Sequence, residues 1–110
     1  MARRAGEEMR NTYLLEHYRP GVGVSGLMRL ASLVRDAADE FERRGYPLRF
    51  VRSTIVPVDE SLLCLLEADS DEVVLDAYRR AGISFERISV ALLSEDAGSQ
   101  RNSDTRKRRP

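Results

Sequence analysis

Few side chains in this chain can hold a metal, move a proton or attack a substrate. There is one histidine, His17, and one cysteine, Cys64. His17 follows Glu16 directly. Neighbours in an extended segment point to opposite faces, so the two share one ion only across a bulge. A lone histidine reads first as a packing or surface residue, and with one His and one Cys a closed zinc site needs carboxylates or a second subunit. Cys64 lies in Leu62-Leu63-Cys64-Leu65-Leu66 and reads as a small buried hydrophobe. No adjacent base marks it as a nucleophile. Glu16 and Glu67 form a second constellation, because two carboxylates on one sheet face can bind a metal or exchange a proton. Tyr18 and Arg52 join them as candidates to line a ligand face. The plainer expectation is that both glutamates pair with Arg19, Arg49 or Arg52. No residue is assigned a catalytic role.

Gly21-Val22-Gly23-Val24-Ser25-Gly26 matches GxGxxG between a strand and a helix. A dinucleotide site also needs an acidic residue about 20 positions later and a doubly wound sheet. Arg43, Arg44, Gly45 and Tyr46 stand there instead, and the chain is too short for that sheet. The glycines are read as turn formers. Asp59-Glu60 reads as turn chemistry, and Arg79-Arg80 as a complement to a helix dipole. The run Arg106-Lys107-Arg108-Arg109 has no interleaved aromatics, so nucleic acid is not the expected partner.

The elements that position these groups follow from length and pattern. With 110 residues the chain forms one domain. Its 18 basic and 18 acidic residues cancel. No apolar run approaches the ~20 residues of a membrane span, and residues 1–10 lack the apolar stretch of a secretory signal. A lone cysteine suits a reducing, cytoplasmic setting. Residues 1–11 form a flexible N-terminal segment. Residues 94–110 lack large apolar side chains and are expected to be a disordered tail. The folded domain is 12–93.

Within it, Thr12–Tyr18 alternates as a strand, with Tyr13, Leu15 and His17 on one side and Leu14, Glu16 and Tyr18 on the other. Leu27, Leu30, Ala31, Val34, Ala37, Ala38 and Phe41 form one stripe of a helix over 26–44, capped by Ser25 and ended by Gly45. Leu48–Val56 and Leu62–Glu67 are strands joined by the tight connection Pro57–Glu60, hence an antiparallel hairpin. Ser70, Asp71 and Glu72 open a second helix that ends before Gly82 and buries Val73, Val74, Ala77, Tyr78 and Ala81. The last strand is 87–93. This order predicts a ferredoxin-like βαββαβ fold in the α+β class, with a four-stranded antiparallel sheet and two helices on one face. The other sheet face is left bare, and its leucines are expected to meet a second copy as a homodimer, a dimeric α+β barrel.

Four stretches, Tyr13-Leu14-Leu15-Glu16 before Pro20, Ser53-Thr54-Ile55-Val56-Pro57-Val58-Asp59-Glu60, Cys64-Leu65-Leu66-Glu67-Ala68, and Arg79-Arg80-Ala81-Gly82-Ile83 followed by Arg87-Ile88, together resemble the small bacterial nickel-binding-protein-like family. The resemblance spans residues 12–92. It implies a ferredoxin-like fold that dimerises through its sheets, and a divalent metal such as nickel held by histidine-containing sites. Members often carry a histidine in the second helix where this chain has Ala77, which leaves Glu16 and His17 as the nearby polar residues to nominate as metal ligands. The expectation is a small cytoplasmic protein that binds a divalent metal or small ligand at or near a dimer interface. The alternative is a cofactor-free enzyme with an intersubunit cavity lined by Tyr18, Arg52 and the two glutamates.

Overall fold

In the computed structural model the described residues are 10–94. The expectations for 1–11 and 94–110, and for the basic run at 106–109, fall almost wholly outside them. Element order is β1 (Asn11–Tyr18), α1 (Gly23–Arg43), β2 (Leu48–Val56), a 3-10 turn (Pro57–Asp59), β3 (Ser61–Ala68), α2 (Asp71–Ala81) and β4 (Arg87–Ala91). The sheet runs β2-β3-β1-β4, and every neighbouring pair is antiparallel. The fold is the ferredoxin-like α+β plan. Among the described residues no helix is long and apolar enough to cross a membrane.

One face of the sheet carries the core. Tyr13 and Leu15 of β1 and Leu62, Cys64, Leu66 and Ala68 of β3 are buried there, as period-2 alternation requires. Leu27, Ala31, Val34, Ala38 and Phe41 of α1 and Val74, Ala77 and Tyr78 of α2 close over them. Leu30 and Val73 pack at the margin of this core, while Ala81 is exposed.

Boundaries differ from expectation by one to three residues, and β3 runs one residue further at each end, Ser61–Ala68. Asn11 pairs with Ala68, so β1 starts one residue earlier than the domain limit drawn at 12. The first helix starts at Gly23 rather than Gly26, with Val22 at the N-cap and no side-chain cap, so Ser25 lies inside the first turn. Left-handed φ values at Gly21 (86°) and Gly23 (75°) turn the chain quickly enough for this early start. Helix α1 ends at Arg43, and Gly45 takes the expected left-handed conformation (φ 98°). Strand β4 stops at Ala91, and Leu92 beyond it is 92 % exposed.

Strand β2 contains a bulge. Phe50 stands opposite Leu66 and Arg52 opposite Leu65, so Val51 is the extra residue. The extra residue reverses the alternation. Phe50 and Ile55 therefore both pack on the core despite their odd separation.

Candidate functional site

Strand register fixes which side chains share the open face. Leu14 is opposite Leu65, Glu16 opposite Leu63 and Thr12 opposite Glu67. Leu14, Leu63 and Leu65 are partly exposed, although their strands are the two central ones. Glu16 and Glu67 do share this face. They lie four register positions apart, about 13 Å along the strands, so they form no carboxylate pair. Each has its own cation. Arg49 Nε lies 3.0 Å from Glu67 Oε1, and Arg87 Nε lies 3.7 Å from Glu16 Oε2. The hydrogen bond to Glu67 raises the Arg49 pKa. Arg49 was among the partners expected; Arg87 was not. Arg52 extends this face opposite Leu65, and Tyr18, half exposed, stands opposite Ser61. The face is thus an apolar strip with an Arg–Glu pair at each of two opposite corners.

His17 lies on the other side of β1, where it is 1 % exposed. Its Nδ1 is 2.9 Å from the Leu62 carbonyl oxygen and its Nε2 is 2.8 Å from the Tyr78 hydroxyl. A carbonyl only accepts, so Nδ1 carries the proton. Nε2 of the neutral ring then accepts from the Tyr78 hydroxyl. Burial lowers the His17 pKa and raises that of Tyr78. The rings of His17 and Tyr78 stack at 5.6 Å, and Tyr78 meets Phe85 edge-on at 5.5 Å. Both ring nitrogens are committed to the protein, and Glu16 faces the opposite way. The structure does not bring His17 and Glu16 together, and these residues do not fit a shared metal ion. Among the described residues no group of three or more His, Cys, Asp or Glu side chains could hold a metal.

Cys64 is buried beneath the helices, and burial pushes its thiol up to about 12. It is a packing residue, as its leucine neighbours suggest.

The glycine loop has an internal anion. Glu60 takes a left-handed conformation (φ 52°, ψ 41°). Its Oε1 accepts from the Gly21 amide at 2.7 Å, and its carbonyl accepts from the Arg19 amide at 2.9 Å. The carboxylate therefore ties the end of the 3-10 turn to the loop before α1. Sequence reasoning gave Glu60 a turn role and missed this contact. It also missed Tyr78 as the partner of His17. The available signal was that helical spacing aims Tyr78 at the sheet, where a buried hydroxyl needs a partner.

Two concavities among the described residues lie away from the open face. One of about 280 Å³ runs between α1 and α2 over Ala37, Phe41 and Ala77. Another of about 360 Å³ lies between Val24, Leu27 and the Pro57–Val58 turn.

No protein-family model matches the chain, and no curated protein matches it. Among solved structures, the chain is similar to SCO4226 from Streptomyces coelicolor A3(2), with a TM-score of 0.57 and 23 % identity over 76 % of this chain and 98 % of that one. At that identity the likeness establishes the fold alone.

Proposed function

We propose that the protein is a small binding module that pairs two copies through the open sheet face and takes a small ligand at or near that interface. The observation that carries this reading is the strip of Leu14, Leu63 and Leu65, partly exposed on the central strands and bounded by the Arg49–Glu67 and Arg87–Glu16 pairs. An apolar centre with a charged rim is the usual anatomy of a protein interface. The four-stranded face has no cover within the described residues, and a second identical face supplies one of matching shape. The lone buried Cys64 suits a cytoplasmic setting. The resemblance to the nickel-binding-protein-like family supports a divalent metal as ligand. That version requires donors from both copies, because His17 is fully engaged within its own chain.

Light scattering over a range of protein concentrations, joined to calorimetric titration with Ni²⁺ and Zn²⁺, tests the proposal. A dimer mass that falls to the monomer mass in Leu65→Arg supports it. A monomer at every concentration overturns it. Heat from Ni²⁺ that disappears in Leu65→Arg supports an intersubunit metal. No binding tighter than about millimolar, a free energy of about −4 kcal/mol, removes the metal.

A further inference from the structure

His17 is buried and titratable, and the open face makes no use of it. It joins three elements. Nδ1 donates to Leu62 of β3, Nε2 accepts from Tyr78 of α2, and the ring itself belongs to β1. Tyr78 in turn packs on Phe85 in the connection to β4. A second layer ties the same corner from outside. Arg19 donates to the Ser84 carbonyl at 2.5 Å and lies 3.4 Å from Glu86, whose Oε1 also accepts from the Tyr18 amide at 2.8 Å. The charged or titratable groups around His17 are Tyr78 from α2, Arg19 from the end of β1 and Glu86 from the α2–β4 connection, with Cys64 of β3 beside Tyr78.

We propose that the His17–Tyr78 contact is an acid-sensitive latch, which holds α2 and the α2–β4 connection on the sheet while the ring is neutral. Only the neutral ring accepts the phenol proton. When Nε2 takes a proton from solvent it becomes a donor, and the phenol must turn its own hydrogen away to accept from it. That hydrogen must then find another acceptor where both side chains are almost wholly buried, and an unsatisfied buried donor is costly. Arg19 adds like-charge repulsion, which Glu86 offsets in part. The sign follows from burial. His17 titrates below its ordinary value of 6.5, so the closed state holds fewer protons than an open one. The latch is at full strength above that pH and weakens as pH falls below it, by up to about tenfold in the opening equilibrium per pH unit.

Amide hydrogen exchange on the full chain, at about pH 7.5 and about pH 5 and corrected for intrinsic rates, tests this directly. Exchange in Val74–Tyr78 and Ile83–Phe85 should rise at the lower pH, by at most about thirtyfold, while the centre of α1 around Leu30–Val34 stays protected. His17→Gln should remove the pH dependence. Tyr78→Phe removes the donor that favours the neutral ring, so the pH dependence should shrink; this variant serves if His17→Gln fails to fold. Equal acceleration in α1 and α2, no acceleration at all, or an unchanged pH dependence in His17→Gln or in Tyr78→Phe would each overturn the latch.

Discussion

The two faces of the central strands are made from alternate residues of the same segments, yet they settle their polar groups differently. On the helix side β1 buries Tyr13, Leu15 and His17, and the imidazole among them has both nitrogens bonded within the protein. On the open side β1 carries Leu14, Glu16 and Tyr18, and the Glu16 carboxylate lies beside Arg87. The difference teaches where each face draws its energy. Burying a charge without a partner is prohibitive, so the covered side admits a polar group only in a hydrogen-bonded neutral form. The open side keeps its charges at two corners and, with Arg52, on the β2 edge, and leaves the centre of β1 and β3 apolar.

Alanine substitution in β1 should break this comparison most sharply. Leu15→Ala, on the fully buried side, should cost about 2–5 kcal/mol in urea unfolding. Leu14→Ala, one residue away on the partly exposed side, should cost the monomer well under half of that and act mainly on association. Equal losses at very low protein concentration would mean that the open side is packed within one chain. Cys64 sharpens the contrast kinetically. Its thiol is buried and pushed up to about 12, so an aromatic disulfide reagent at about pH 8 should react no faster than the protein opens. A fast, complete reaction in the folded protein would contradict that placement. The smallest effect belongs to the rim. Glu67→Gln should change stability by only about 0–1 kcal/mol, because the Arg49–Glu67 pair is a surface pair partly open to water. A larger loss that disappears in high salt would show the rim to carry more of the interface than its exposure suggests.

Much of the fold was legible because each segment repeats its period cleanly. The alternation Tyr13, Leu15, His17 fixed the buried side of β1, and the stripe from Leu27 to Phe41 fixed that of α1. Gly45 and Gly82 marked helix ends because both take left-handed φ. The bulge at Val51 was not legible, since it depends on how β2 meets β3 rather than on β2 itself. Nor was the early start of α1, because two glycines replaced the capping side chain that usually signals a helix. For the candidate site, alternation put Glu16 and Glu67 on one face, but only the register shows them four positions apart and pairs Glu16 with Arg87. A lone histidine reads first as packing or surface, and His17 stood as a metal candidate only through the family resemblance. Its real partners, a carbonyl 45 residues away and a hydroxyl 61 residues away, are long-range contacts that no local pattern contains.

The central claim is that the open face meets the same face of another copy. A mixed sample of isotope-labelled and unlabelled protein, read by filtered nuclear Overhauser spectra, asks this directly. The account predicts contacts between chains from the methyl groups of Leu14, Leu63 and Leu65, and none from core methyls such as Leu15 or Val34. Contacts between chains that arise instead from the helix layer, for example at the exposed Leu33, or no such contacts at all, would contradict it.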